Sequence, residues 1–489
     1  MSSIVTKSRI SRDTIIYIPV FLAPALINII LLMFFTRVFS PQDYGTYTIV
    51  VNATIILSSL LAQWIVLSIQ RFRPEYMKHG TIPEFNRHLN QLLLVISIAF
   101  LLVVTLFYLF LPGFMRPYQP YYWSSVLLVI SSVYFMSLGS VYQVDLQSKQ
   151  YRNLNVMQSL LKLVMTFVMV MYLQTKAVSF IWATLFAQIV VSIPMLRYVN
   201  TIDLFKPLNA SKHSFINFVK KFWSYGFPLI GWYIGTTIMN LTDRFMIEYF
   251  RSPHEVGIYS ANFTIAVQAI ALICNPLFFA IQPLLMNEIQ EQDDKGHIEA
   301  RISKFTHLFL IVSLPFGVYF SIYRNEVSAL LLGPQFTSGA LIIPILIFGF
   351  FAWNMGLYGQ LTYQIGKRTK EMFYFVTIAA LTNFVLNLFF IPKWGFLGAS
   401  ISTTIGFIVY SALLYIFSIN YIKWEIPWIT FLKVSVLVMI LAIPFVILKI
   451  KLLAGVSPLI SMIIGLPFFL LYIGWVFFFW KDSIKKVLL

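Results

Sequence analysis

Residues 40–48 read SPQDYGTYT, and residues 252–260 read SPHEVGIYS. Ser, Pro, Gly and Tyr recur at the same places, an acid stands fourth in each copy, and the copies lie 212 residues apart in a chain of 489. Each copy is built to start a helix. The Ser oxygen can accept from first-turn N–H groups that have no partner inside the helix. Pro at the second position suits the first turn, where a missing N–H is no loss. Asp43 and Glu255, three residues after Ser40 and Ser252, complete a capping box. Gly45 and Gly257 permit close approach by another helix. The phrase reads as architecture rather than as a ligand motif.

Around these two starts the chain is strongly apolar. Apolar residues make up 59% and charged residues only 11%, against about 25% charged in soluble domains. No soluble fold of this length has interior enough for that composition; a lipid bilayer does. The 47 Phe, 26 Tyr and 11 Trp fit aromatic belts at both interfaces, and Tyr47 and Tyr259 are expected in the outer one. The net charge of +17 sits in short loops between apolar runs, with no basic stretch long enough to track phosphates, so nucleic acid is not an expected partner. A single cysteine, Cys274, excludes disulfides and cysteine-based metal sites within one chain. Lys7, Arg9 and Arg12 precede an apolar run over 15–38 that is too long for a signal-peptide core and reads as a retained first span.

Apolar runs bounded by charges or Pro/Gly turns predict 14 membrane-spanning helices. They fall near 15–38, 44–70, 89–111, 121–144, 153–173, 177–197 and 222–250. The others lie near 254–286, 302–323, 340–364, 372–391, 397–420, 427–448 and 457–480, with Pro276 and Pro283 interrupting the eighth. With a cytoplasmic N-terminus, roughly 24 Lys and Arg fall on that side against 9 outside. RFRPEYMK (71–78), the 197–221 linker, GKRTK (366–370) and the tail at 481–486 carry the bias, while NEIQEQDDKGHIEAR (287–301) is acidic. Both ends are therefore expected in the cytoplasm.

The external loops are too short to carry a catalytic apparatus, and DxD, HExxH, GxSxG and phosphate-cradling glycine loops do not occur. Asp293 and Asp294 sit on a hydrophilic loop, and the six His are scattered, so no metal site is expected. The chain does not read as an enzyme, and no cofactor is expected.

The register of 212 extends to Ile69-Gln70 and Ile281-Gln282, and LQSKQYR (146–152) echoes QIGKRTK (364–370). Spans 1–6 and 7–12 thus look like two copies of one bundle. The expected fold is an all-α polytopic membrane protein, with two pseudo-symmetric six-helix lobes at 1–210 and 211–425 and two further helices at 426–489. Two such lobes enclose a central cleft, as in a transporter.

The phrase after both lobe-opening spans, with DRFMIEYFRSPHEVGIYSAN (243–262) and IPKWGFLGASISTTIG (391–406), resembles the polysaccharide flippases of the multidrug/oligosaccharidyl-lipid/polysaccharide exporter superfamily. The resemblance covers nearly the whole chain. It implies an alternating-access, non-enzymatic transporter of the bacterial inner membrane. The cargo would be a polyprenyl-diphosphate-linked oligosaccharide, moved to the outer leaflet for surface polysaccharide synthesis. Membrane lipids, the polymerase machinery and a coupling H+ or Na+ are the implied partners, and a monomer is the implied state. Lipid-II flippases are similar but carry basic residues early in the first span, where residues 15–36 have no charge. The drug/cation antiporters of the superfamily typically have fewer spans. A membrane glycan polymerase or ligase is the reading from another class, and the short loops count against it.

A diphosphate and its sugars need polar groups to replace water across the hydrocarbon. Lys162, deep in the fifth span, is the first candidate, with a structural pair to an acid such as Asp145 as its alternative. Arg37, Arg71 and Arg244 are further candidate cations, with Arg73 rated closer to a snorkelling residue. Asn28, Asn52, Gln63, Gln188, Asn240 and Gln268 are candidate sugar contacts, as are Asn383 and Asn387, with bonding between helices as the alternative. Asp145, Lys149, Asp243 and Glu248 are candidates for a gate or for ion coupling. The i,i+4 spacings Asp145–Lys149 and Arg244–Glu248 also allow simple helix-end ion pairs.

Overall fold

A computed structural model describes residues 22–172, 176–200, 212–291, 295–366, 368–418, 422–453 and 455–488. Lys7, Arg9, Arg12, Asp293 and Asp294 lie outside the described residues. Among the described residues the chain is helical and contains no strand. Lipid offers no partner to an exposed N–H or C=O, and a helix pairs its backbone within itself.

Within the described residues each expected span overlaps a helix. The first is described as α1 (Leu22–Val38). It is followed by α2 (Pro41–Lys78), α3 (Ile82–Leu109), α4 (Tyr122–Val144), α5 (Ser148–Met171), α6 (Ser179–Tyr198), α7 (Lys212–Phe250) and α8 (Pro253–Glu291). Then come α9 (Lys295–Ile322), the short α10 (Arg324–Leu331), α11 (Ile342–Ile365), α12 (Thr369–Trp394) and α13 (Phe396–Ser418). The chain closes with α14 (Trp428–Leu452), α15 (Pro458–Gly465) and α16 (Pro467–Leu488). Among the described residues, 12 helical segments rather than the expected 14 are long and apolar enough to cross a membrane: α7 and the described part of α1 are not among them, and α15 and α16 together supply the last.

The repeat is visible in the element order. α2 starts at Pro41 and α8 at Pro253, keeping the register of the two phrases. A 3-10 turn precedes α4 (Gly113–Tyr121) and another precedes α11 (Pro334–Leu341). The capping box forms in the first copy: Asp43 N–H donates to Ser40 Oγ at 3.2 Å, and the Ser40 N–H donates to Asp43 Oδ2 at 3.3 Å. The second copy keeps half of it. Glu255 N–H donates to Ser252 Oγ at 3.3 Å, but the Glu255 carboxylate instead accepts from the Phe396 N–H at 3.3 Å and lies 3.8 Å from Arg251 Nε.

Contacts divide the chain into two compact units: Met1–Leu31 with Thr46–Ile238, and Leu32–Gly45 with Met239–Leu489. α7 is therefore shared between them, and the end of α1 with the first turn of α2 belongs to unit 2.

In unit 1 the first part of α7 lies along α2. A Cβ at Gly226 would stand 2.2 Å from the Trp64 carbonyl oxygen, so the two backbones meet without side chains between them. Ser68, wholly buried, donates to the Phe222 carbonyl at 2.9 Å. Phe85, Phe218 and Phe222 fill the core beside this line. The second half of α3 turns its apolar residues outward, as Leu102, Val103 and Leu109 are all exposed, which is expected where lipid is the solvent.

Unit 2 is built around α8 and α11, whose apolar segments are 67% and 61% buried, against 22% for α14. The last helices pack on α9: Tyr319 OH donates to the Met462 carbonyl and Tyr472 OH to the Ile311 carbonyl, each at 2.7 Å. α12 and α13 join in a tight hairpin at Gly395, whose φ of +56° is the left-handed conformation that glycine tolerates best.

Candidate functional site

Among the described residues of unit 1, one cation stands at mid-span. Lys162 lies about four turns into α5, half-buried, and donates to Asn28 Oδ1 on α1 at 3.3 Å. It does not pair with Asp145. That carboxylate is taken by Arg73, whose Nε and Nη2 donate to its two oxygens at 2.7 Å each. Arg73 also donates to Asn86 Oδ1 at 2.7 Å and lies over the Phe85 ring, while the Tyr198 hydroxyl donates to Asp145 at 2.9 Å. Arg73 is 2% exposed, so it does not snorkel; it is the buried centre of a knot joining α2, α3, α4 and α6.

The expected Asp145–Lys149 pair is absent for a simple reason. α4 ends at Val144 and α5 starts at Ser148, so no single helix places the two residues one turn apart, and Lys149 is exposed. Arg71 is exposed too and lies 3.7 Å from Glu75, which also accepts from Lys221 at 2.9 Å. Asn52, 5% exposed on α2, has an amide nitrogen with no partner among the described residues; Gln63 is half-buried about three turns further on; and Gln188 accepts from Ser132 at 3.2 Å. Gln188 thus binds helix to helix, and Asn52 is the amide left with capacity.

Unit 2 holds a buried carboxylate. Asp243 on α7 is 0% exposed. Its Oδ1 accepts from Asn387 Nδ2 of α12 at 2.7 Å; its Oδ2 accepts from Tyr259 OH of α8 at 2.7 Å and from Thr403 Oγ1 of α13 at 2.5 Å. Four helices thus converge on one acid. Asn387 Nδ2 also reaches Asn383 Oδ1 at 3.2 Å, and the Asn387 carbonyl oxygen is buried without a partner. The Thr403 hydroxyl has a second acceptor, the Ala399 carbonyl at 2.9 Å. One hydroxyl proton faces two acceptors.

Tyr259 is therefore not in an aromatic belt; it is wholly buried as a ligand of Asp243. Arg244 turns elsewhere. Its guanidinium lies 4.2 Å from the Phe263 ring centroid and donates to the Asn240 carbonyl at 2.5 Å, with Nε buried and unpartnered. It forms no ion pair with Glu248 among the described residues; Glu248 and Gln268 are half-buried. Arg37 is exposed, and its Nη2 donates to the Leu330 carbonyl at 2.7 Å. No cluster of three or more metal-ligating side chains occurs among the described residues.

The comparisons agree with this architecture. The family described as polysaccharide biosynthesis protein matches residues 10–290. An uncharacterized membrane protein of Methanocaldococcus jannaschii is 26% identical over 199 residues, 39% of this chain and 38% of that protein. A probable low-salt glycan biosynthesis flippase of Haloferax volcanii is 25% identical over 243 residues, 48% of this chain and 49% of that protein. The chain thus spans half or less of the length of these curated relatives. Among solved structures, the lipid II flippase MurJ in an inward closed conformation shares the fold with a TM-score of 0.75 at 16% identity, over 96% of this chain and 99% of that one. An inward-facing multidrug resistance MATE family transporter of the MOP superfamily gives a TM-score of 0.62 at 14% identity, over 81% of this chain and 94% of that one.

Proposed function

The chain belongs to the polysaccharide biosynthesis protein family, and from that premise we propose that it is a flippase moving a polyprenyl-diphosphate-linked oligosaccharide from the cytoplasmic to the outer leaflet of the bacterial inner membrane. The observation that carries the reading is Lys162. A charged residue at the centre of a spanning helix costs about 2.5–3.5 kcal/mol even on the lenient insertion scale. Among the described residues Lys162 is partnered by the neutral Asn28 amide and by no acid, and Asp145, the acid expected as its alternative partner, is bound to Arg73. A cation without an acid beside it suits an anionic diphosphate that arrives and leaves. Asn28, and Asn52 with its unpartnered amide nitrogen, would serve sugar hydroxyls in the same unit.

Asp243 is proposed as the coupling group. As a carboxylate it accepts from Tyr259, Asn387 and Thr403. Protonated, it can donate to Thr403, whose own proton then turns to the Ala399 carbonyl. The site is satisfied in both charge states. Asp243 and Thr403 Oγ1 would be the oxygen ligands for a monovalent cation instead.

The test is transport in proteoliposomes loaded with an undecaprenyl-diphosphate-linked oligosaccharide. Lys162→Ala is expected to lower flipping by about tenfold or more, with Lys162→Arg retaining most of it, since each directed contact to a charged group is worth about 1.5–3 kcal/mol. Full transport by a normally inserted Lys162→Ala protein removes that residue from the site. Dye efflux without glycan movement would instead favour a drug/cation antiporter.

A further inference from the structure

One face of α5 is polar from its first turn to well past its middle. On a helix of about 3.6 residues per turn, Ser148, Arg152, Asn155, Ser159, Lys162 and Thr166 fall within an arc of about 80°. Met157, Leu160, Val164 and Met171 lie on the opposite face and are exposed, as lipid contacts are. The polar face looks into unit 1 instead: Ser159 and Thr166 are buried, and Arg152, Asn155 and Lys162 are half-buried. Polar groups at lipid depth are costly, and a row of them serves either bonds to neighbouring helices or something that passes.

The hydrogen bonds decide between the two. Ser159 Oγ donates to the Asn155 carbonyl at 3.0 Å, Thr166 Oγ1 to the Lys162 carbonyl at 2.7 Å and Asn155 Nδ2 to the Tyr151 carbonyl at 2.9 Å, all within α5. Arg152 donates from Nε and Nη2 to its neighbour Asn153 Oδ1 at 3.1 and 3.0 Å. Among the described residues, the Lys162–Asn28 bond alone carries a side chain of this face to another helix. The row does not glue helices together. It offers cationic donors at Arg152 and Lys162, with no acid beside either among the described residues. Between them Asn155 keeps an acceptor in Oδ1, and Ser159, its proton already given, keeps the lone pairs of Oγ. Anions accept from the first kind of group, and sugar hydroxyls donate to the second.

We propose that this face is the loading path for the cargo: Arg152 takes the diphosphate first, Lys162 receives it about 15 Å further along the helix, and sugar hydroxyls donate to Asn155 on the way. Arg152 is thereby a second substrate-binding residue, at the end of α5 expected on the cytoplasmic side. The proposal rests on the transport reading, which gives an anion reason to travel along a helix.

The test measures binding of geranyl diphosphate, a short soluble probe, to the full chain captured in nanodiscs. Association and release are recorded by surface plasmon resonance against empty nanodiscs. Lys162→Ala is expected to raise the dissociation constant about tenfold, because it removes a charged contact of the bound state. Arg152→Ala removes a contact made only in passage. It is expected to slow association and release alike, by about tenfold each, and to leave the dissociation constant unchanged; Arg152→Lys restores both rates. A residue that merely held the fold would not slow both steps equally. Asn155→Asp keeps the shape but sets an acid between the two cations, and is expected to weaken binding about tenfold by like-charge repulsion. Unchanged rates in Arg152→Ala, or a wild type that does not bind the probe, overturn the loading path. If Arg152→Ala does not accumulate, unchanged binding by Asn155→Asp overturns it alone. The proteoliposome assay separates the path from the transport reading. A wild type that moves no glycan, yet binds the probe with these dependences, upholds the path as an anion site and sinks the flippase reading.

Discussion

Asp243 and Asp145 are both carboxylates near helix ends, and their surroundings give them opposite prospects. Asp145 is locked by a bidentate guanidinium, the geometry that fixes an ionised acid most firmly. Its side chain is 7% exposed and that of Arg73 is 3%, so it is a poor candidate for exchange. Asp243 has neutral donors only, each on a different helix. Asp243→Asn keeps the shape and an acceptor but fixes the group as neutral. It is expected to abolish the dependence of flipping on a proton or sodium gradient, read as equal initial rates with and without the imposed gradient, while the protein still inserts. A gradient response that survives in Asp243→Asn ends the coupling role. The residues that surround this acid were hard to read in sequence for a physical reason. Asn387 and Thr403 reach it from 144 and 160 positions away, and no local periodicity reports such a meeting. The i,i+4 amides Asn383 and Asn387 and the Ser402-Thr403-Thr404 run within a mostly apolar helix were the available signal. They mark polar groups inside lipid depth without saying which neighbour they serve.

At the scale of elements, starts and stops were legible and the crossings were not. Pro41 and Pro253 open α2 and α8 as the capping phrase predicts, because a cap is local chemistry. That Gly45 faces Pro253, or that Gly226 faces Trp64, depends on which helices approach, and a glycine alone does not name its neighbour. The hairpin between α12 and α13 shows the same division. PKWG signals a turn, but what makes Gly395 necessary is remote: its φ is +56°, and a Cβ there would stand 2.3 Å from Glu255 Oε2. Gly395→Ala is expected to cost about 1–3 kcal/mol, since it imposes a left-handed backbone on a side chain, and to displace the Glu255 carboxylate from the Phe396 N–H. Gly474→Ala in α16, where nothing lies within 4 Å, is the control. It should be neutral or stabilising by up to about 1 kcal/mol through helix propensity. Thermal unfolding of the two variants in detergent decides the point, and equal midpoints would show that the hairpin glycine is dispensable.

At the scale of the whole molecule, the helical membrane class followed from composition alone, while orientation rests on charge. Roughly 24 Lys and Arg on one side against 9 on the other, counted over short loops, form a strong bias toward placing that side in the cytoplasm. The acidic stretch at 287–301 dissents, but Asp and Glu contribute little to that bias. The expectation is checked by two reporters. Green fluorescent protein fused after Leu489 should fluoresce, because it matures only in the cytoplasm. A cysteine replacing Arg116, in the 3-10 turn at Gly113–Tyr121, should react with an impermeant maleimide added to intact cells. The reverse pattern would place both ends outside. Lys162 stands near the middle of α5 and is reached from either side, so inversion would leave its role unchanged and would reverse only the face at which the cargo enters.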